Sequence, residues 1–167
     1  MLPGNQRYFS ALQDFNNARR KASIQEILAR LTGKSSELLS YEEVAKKLKL
    51  NVRTESGIHD IPLKAIIGSV GRYTEFTRGF LPRKNGDQHR WARVKVVVDD
   101  PTGAGLPPID VYKVGEVYFV LDGNHRVSVA RDEGFELISA HVIEVKTDIP
   151  VTPVSYTHLT LPTILLV

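Results

Sequence analysis

The chain has 167 residues, of which 42% are hydrophobic and 25% charged, and this composition is that of an ordinary globular protein able to form one good core. It contains no cysteine, which excludes disulfides, thiolate metal sites and cysteine nucleophiles. No apolar run approaches membrane-spanning length and the N-terminus lacks a signal peptide's apolar core, so we expect a cytoplasmic protein with no membrane partner.

The first predicted helix runs from Arg7 to Leu31, where apolar residues recur at helical spacing, and Gly33 suits the position just past its end. Its apolar stripe consists of Phe9, Leu12, Phe15, Ile24, Ile27, Leu28 and Leu31.

A second helix is predicted after Ser40, which forms a capping-box pattern with Glu43. It resembles the first helix of a helix-turn-helix, but residues 51–60 are polar and turn-like and no recognition helix follows. We therefore interpret residues 1–50 as a helical arm for docking or dimerisation, with direct DNA reading as the lesser alternative.

Positive charge is concentrated in this arm. It carries nine Lys/Arg and five Asp/Glu, a net of +4, whereas the rest of the chain carries thirteen and fourteen, a net of −1. Such a segment is compatible with DNA, with an acidic protein partner or with a homodimer, and is also what a solvated helix face looks like.

A strand is predicted at 61–66, followed by a loop from Gly68 to Gly86 that is longer than a mere connection needs. Glu75 is the one carboxylate among the aromatic and arginine residues of this loop, so it is the candidate general base if the protein is an enzyme. The alternative is that the aromatic residues anchor the core and Glu75 pairs with a neighbouring arginine.

The middle of the chain predicts a helix and then a hairpin. Trp91, Val94 and Val98 have helical spacing, which favours a helix over about 87–99, although the β-branched run there also suits a strand. Strands at 110–114 and 117–121 flank Gly115-Glu116, a pair typical of a type II′ turn, and the last strand is predicted at 137–145.

The segment Asp122-Gly123-Asn124-His125-Arg126 lies between the strand at 117–121 and a predicted helix closed by Gly134. A strand–turn–helix junction offers backbone N–H groups and the positive end of the helix dipole, both of which favour an anion. Two cationic side chains at a helix start are unfavourable unless a phosphate binds there. The alternative is that Arg126 pairs with a carboxylate of this chain and holds the turn together.

About residues 58–146 resemble the ParB/sulfiredoxin superfamily. The resemblance is carried by the Pro-Ile strand at 106–112, by 118–121, and by the 122–126 turn that opens a helix containing Ala130, with 61–66 as the opening strand. It implies an α/β (α+β) fold, a small mixed sheet flanked by helices and preceded by the arm of residues 1–50. It also favours the helix at 87–99.

Superfamily members hold nucleotide phosphates with this turn. The resemblance therefore implies that ATP, ADP or CTP binds with Mg²⁺, which Asp122 would hold through water unless it only accepts N–H bonds in the turn. The phosphate ligands it implies are Arg72 from the loop and Asp122, Gly123, Asn124, His125 and Arg126.

The same turn bears on activity. Because the turn contains no cysteine, the sulfiredoxin reaction is excluded. Asp-Gly-Asn-His-Arg is closer to the Asp-Gly-His-His-Arg of free-serine kinases than to the Gly-Glu-Arg-Arg of partitioning proteins. This similarity supports phosphoryl transfer and weakens the interpretation as a CTP clamp. The catalytic candidates are then Glu75 and His125. Three functions stay open: a regulatory or DNA-associated nucleotide-binding module, a phosphotransferase, nucleoside triphosphatase or nuclease, and a protein that contacts the DNA backbone.

The C-terminal residues 154–167 resemble, from Val154 to Thr163, a translated sequencing-library adapter. We therefore interpret them as a non-native tail and expect the genuine sequence to be cut off near Pro153. The alternative is a real terminal strand, because Thr, Leu, Ile and Val favour strands.

Overall fold

The computed structural model describes residues 3–50 and 52–147. It is a mixed α/β fold, as predicted, with a helix at the N-terminal end and six strands in one mixed sheet of order β1-β3-β5-β4-β6-β2. The helices are α1 Pro3–Thr32, α2 Tyr41–Leu48, α3 Gln88–Val98 and α4 Asn124–Asp132. The strands are β1 Leu39–Ser40, β2 Arg53–Pro62, β3 Ile66–Ser69, β4 Ile109–Val114, β5 Val117–Asp122 and β6 Leu137–Val145. The predicted tail, residues 154–167, lies outside the described residues.

The described residues fall into two compact units that interleave along the chain. The helical unit contains α1, residues 74–107 with α3, and residues 124–135 with α4. The sheet unit contains residues 39–73, 108–123 and, in the described part of the chain, 136–147. The two helices predicted within the N-terminal arm therefore belong to different units, α1 to the first and α2 to the second.

The helical unit is built around Trp91, which is fully buried against Phe15, Ala18 and Val129. The indole Nε1–H donates to the buried hydroxyl of Ser128 at 2.9 Å, which satisfies the polar atom of an otherwise apolar core. The spacing of Trp91, Val94 and Val98 thus predicted the helix correctly.

A buried lysine links the three helices of this unit. Lys95 on α3 is only 6% exposed, and its ammonium contacts the Glu133 carboxylate, lies 3.2 Å from Asp99 Oδ1 and 3.7 Å from Asp14 Oδ2. Burial raises the pKa of the adjacent Asp132, an effect that nearby lysines partly offset. The opposite charges therefore compensate one another, whereas a single buried charge without a partner would be costly.

The sheet unit has its own core, in which α2 packs on the sheet. Tyr41 and Val44 of α2 lie against Tyr112 and Phe119, with the Tyr41 and Tyr112 ring centroids 4.6 Å apart. The predicted start of α2 at Ser40 is confirmed, but the capping box is wrong. The Ser40 side chain makes no cap bond, and its hydroxyl instead lies 3.5 Å from Glu42 Oε2.

The predictions for the strands of the sheet have different outcomes. The hairpin and last strand are confirmed, and Gly115 has the positive φ of 61° that a type II′ turn needs in its first position. The turn-like interpretation of 51–60 is wrong, because Arg53–Pro62 forms β2, antiparallel to β6 at the edge of the sheet. Its residues 53–60 are exposed, so it lacks the apolar alternation that reveals most strands.

Among the described residues, no helix combines the length and the apolar character needed to span a membrane.

Candidate functional site

The junction between β5 and α4 is a single residue. β5 ends at Asp122, Gly123 has φ of 115°, and α4 begins at Asn124. This backbone conformation suits glycine, since residues with a Cβ rarely adopt it. The helix ends as predicted at Gly134, which has φ of 76°, and the Phe135 N–H bonds to the Ala130 carbonyl at 3.0 Å. The predicted strand–turn–helix geometry is therefore confirmed.

Arg126 lies in the first turn of α4 and is half-buried. Its Nη1–H donates to the carbonyl oxygen of Pro107 at 3.2 Å, in the segment that leads into β4. This bond to a backbone carbonyl orients the guanidinium near the helix start.

His125 points into the helical unit and is only 7% exposed. Its ring lies edge-on to Phe76, with centroids 5.3 Å apart, and its Nε2 is 3.7 Å from Asp87 Oδ1 at the start of α3. The imidazole therefore packs between a loop and a helix start. That environment suits a positioning role better than direct access to a substrate.

The loop that contains Glu75 is an ordered hairpin. The Arg83 N–H bonds to the Glu75 carbonyl at 3.0 Å and the Thr77 N–H to the Leu81 carbonyl at 2.9 Å. Glu75 itself is half-buried. The hairpin thus holds the backbone of Glu75 in place.

Phe80, at the tip of this hairpin, has φ of 59°, which is unusual for a bulky residue. The ring is fully buried, 6.1 Å from the Phe76 ring, and the Arg131 guanidinium of α4 lies 5.3 Å above it. Burial in this setting lowers the pKa of Arg131. A strained residue held by such packing is typical of functional loops, and no sequence pattern indicates it.

The predicted ligands divide between the two units. Glu75, Asn124, His125 and Arg126 belong to the helical unit, whereas Arg72, Asp122 and Gly123 belong to the sheet unit. Asp122 and Arg72 are exposed, and Asn124 is 7% exposed. Asp87 and Pro107, which contact the turn, were not predicted, because nothing in their local sequence indicates a partner so distant in the chain.

A cavity of about 270 Å³ lies on the sheet unit, lined by Glu55, Gly57, Asp110, His141, Val142 and Ile143. The strand register explains part of it, since Asp110 pairs with His141 across β4 and β6. No group of three or more His, Cys, Asp or Glu is arranged to hold a metal ion anywhere in the described part of the chain.

Comparisons of the chain with protein-family models, with curated proteins and with solved structures found no match. The ParB/sulfiredoxin resemblance therefore rests on the residues quoted above and stays a hypothesis.

Proposed function

We propose that the first turn of α4 binds the phosphates of a nucleotide, ATP, ADP or CTP with Mg²⁺, in a ParB-like regulatory module. The observation that carries the proposal is the junction itself, in which one glycine at φ of 115° leads from β5 into a helix start bearing His125 and Arg126. The first N–H groups of a helix have no partner within the helix, and with the dipole they attract an anion.

Arg126 would add a charge-assisted bond to the phosphate. A guanidinium carries five N–H donors, so its bond to the Pro107 carbonyl and a bond to phosphate are compatible. The bond to Pro107 supports the proposal, because a pre-oriented arginine loses less entropy on binding than a mobile one. Burial of His125 suggests that its ring supports the turn while the backbone and Arg126 contact the ligand.

A regulatory role is favoured over phosphoryl transfer. A general acid or base must reach the proton that it transfers, and His125 is packed against Phe76. Glu75 is the remaining candidate base. Contact with the DNA backbone is less favoured, because two arginines of α1 are used within the helical unit. Arg7 pairs with Asp100 at 3.3 Å, and Arg19 donates to the Pro82 carbonyl at 3.1 Å.

The test is a thermal-shift screen of the purified chain with ATP, ADP, CTP and GTP, each with Mg²⁺, followed by an assay for nucleotide turnover. A ligand at about 100 times its Kd stabilises a protein by about 2.7 kcal/mol, so a true ligand produces a clear rise in Tm. We expect a rise with an adenine or cytosine nucleotide and no turnover. Unchanged Tm with all four nucleotides would refute nucleotide binding, and turnover that depends on Glu75 would replace the regulatory module with an enzyme.

A further inference from the structure

The C-terminal half of α1 carries an exposed row of large apolar side chains. Ile24, Ile27, Leu28 and Leu31 are 52%, 57%, 54% and 78% exposed, and we refer to these four residues as the apolar ridge. The core face of the same helix is different, with Ala11, Phe15, Ala18 and Ala22 fully buried. With about 3.6 residues per turn, the ridge and the buried face lie on opposite sides of the helix.

The spacing of the ridge indicates what kind of surface would cover it. Single exposed apolar residues are common and need no explanation, but four at i, i+3, i+4 and i+7 form one continuous strip over two turns. This is the spacing of the anchor residues by which one amphipathic helix packs against another. The ridge therefore fits a partner that presents a helix face.

The charges beside the ridge specify the partner further. Lys21 borders it on one side, Arg30 on the other, and Arg20 extends from its N-terminal end, and all three are exposed. Glu26 is the single acid between residues 20 and 34, and its carboxylate accepts a bond from Arg83 Nε at 2.8 Å. The border of the ridge is thus cationic, and it complements an acidic partner.

A second copy of the chain is a poor occupant. Two ridges packed face to face would bring their cationic borders together, and like charges across an interface are unfavourable. A lipid surface would also meet the cations, but a strip only two turns long is narrow for insertion and lacks an aromatic anchor.

We propose that the apolar ridge docks an acidic amphipathic helix of another protein. The partner's apolar side chains would cover the ridge, and its carboxylates would meet Lys21, Arg30 and Arg20. This inference is independent of nucleotide binding, since it involves neither Gly123 nor the first turn of α4.

The experiment uses two labelled synthetic helices with the same leucine face, one bordered by glutamate and the other by lysine, titrated into the full chain by fluorescence anisotropy. We expect the glutamate peptide to bind at least about tenfold more tightly, a difference of about 1.4 kcal/mol. The Ile27→Ser/Leu31→Ser variant should lose this binding, whereas Val97→Ser, which alters an exposed residue of α3, should keep it. The Lys21→Glu/Arg30→Glu variant should prefer the lysine peptide.

Failure of the glutamate peptide to bind, or equal affinity for both peptides, would overturn the proposal. Sedimentation velocity on the same variants tests the second copy, and a dimer abolished by Ile27→Ser/Leu31→Ser would assign the ridge to self-association instead. Flotation with phosphatidylserine vesicles tests lipid, and ridge-dependent flotation in the absence of peptide preference would assign it to a membrane surface. A monomer that does not float and discriminates between the peptides is the supporting result.

Discussion

Nε2 of His125 lies 3.7 Å from Oδ1 of Asp87, and this relationship joins the first turn of α4 to the start of α3. The carboxylate and the Phe76 ring both lie beside an imidazole that the sequence named as a catalytic candidate. We therefore propose that the histidine supports the turn through its packing, and that the backbone and Arg126 are the phosphate ligands.

Replacement of His125 by alanine should mainly affect stability. Removing a buried ring leaves a cavity, and we expect a loss on the order of 2–4 kcal/mol in the free energy of unfolding. Urea unfolding followed by the fluorescence of the single tryptophan measures it. If His125→Ala left stability unchanged yet abolished nucleotide binding or turnover, the imidazole would be a direct ligand or catalyst.

Lys95 is expected to be essential to the helical unit. Lys95→Met leaves the carboxylates of Glu133, Asp99 and Asp14 without their shared counter-charge. We expect the free energy of unfolding to fall by about 3 kcal/mol. This is the low end for breaking a buried ion pair, because these carboxylates are partly exposed. Arg93→Met on the exposed side of the same helix is the control and should cost little. Equal urea midpoints for the two variants would show that the lysine cluster contributes no stability.

Asp132 gives the protein a predictable dependence on pH. Burial raises the pKa of the Asp132 carboxyl in the folded state. The protonated carboxyl therefore contributes its full stability below the pKa of the unfolded chain, about 3.9. That contribution is lost as the pH rises through the pKa of the folded state. At neutral pH the ionised carboxylate destabilises the fold, and Asp132→Asn should raise Tm. This advantage should disappear in acid. A Tm lowered by the substitution at neutral pH would mean that attraction by Lys21 and Lys95 outweighs desolvation.

Gly123 should tolerate no β-branched residue. At φ of 115°, Gly123→Val is expected to cost on the order of 1–3 kcal/mol and to tilt the N–H groups that open α4. Gly86→Val is a matched control, because Gly86 has ordinary backbone angles and open space at its Cβ position. Comparable thermal stability and nucleotide affinity in the two variants would contradict this account of the turn.

Local sequence predicted elements whose signal is contained in neighbouring residues. The continuous β-prone run at 117–121 and the glycine at 134 located β5 and the end of α4. β2 was missed because it is an exposed edge strand, paired with β6 in a register that its own side chains do not reveal. In α1 the apolar stripe was evident, but the buried positions are largely alanines, so the core face could not be separated from the exposed ridge.

The candidate site was predicted in the same uneven way. The turn at 122–126 follows from a strand, a glycine and a helix that are adjacent in the chain. The contacts of His125 with Asp87 and of Arg126 with Pro107 join residues far apart in sequence, so only the folded chain reveals them. The positive φ of Phe80 was not predicted either, and the Arg131 guanidinium over its ring comes from α4, far along the chain.

The most direct test of the central claim is calorimetric titration of the nucleotide selected by the thermal screen into Arg126→Ala, with Arg93→Ala as the control. A charge-assisted bond contributes about 1.5–3 kcal/mol, so we predict at least about tenfold weaker binding by Arg126→Ala, with a folded chain and an unaltered control. Unchanged nucleotide affinity together with a loss of several kcal/mol in stability would contradict the account and make Arg126 a structural clamp on Pro107.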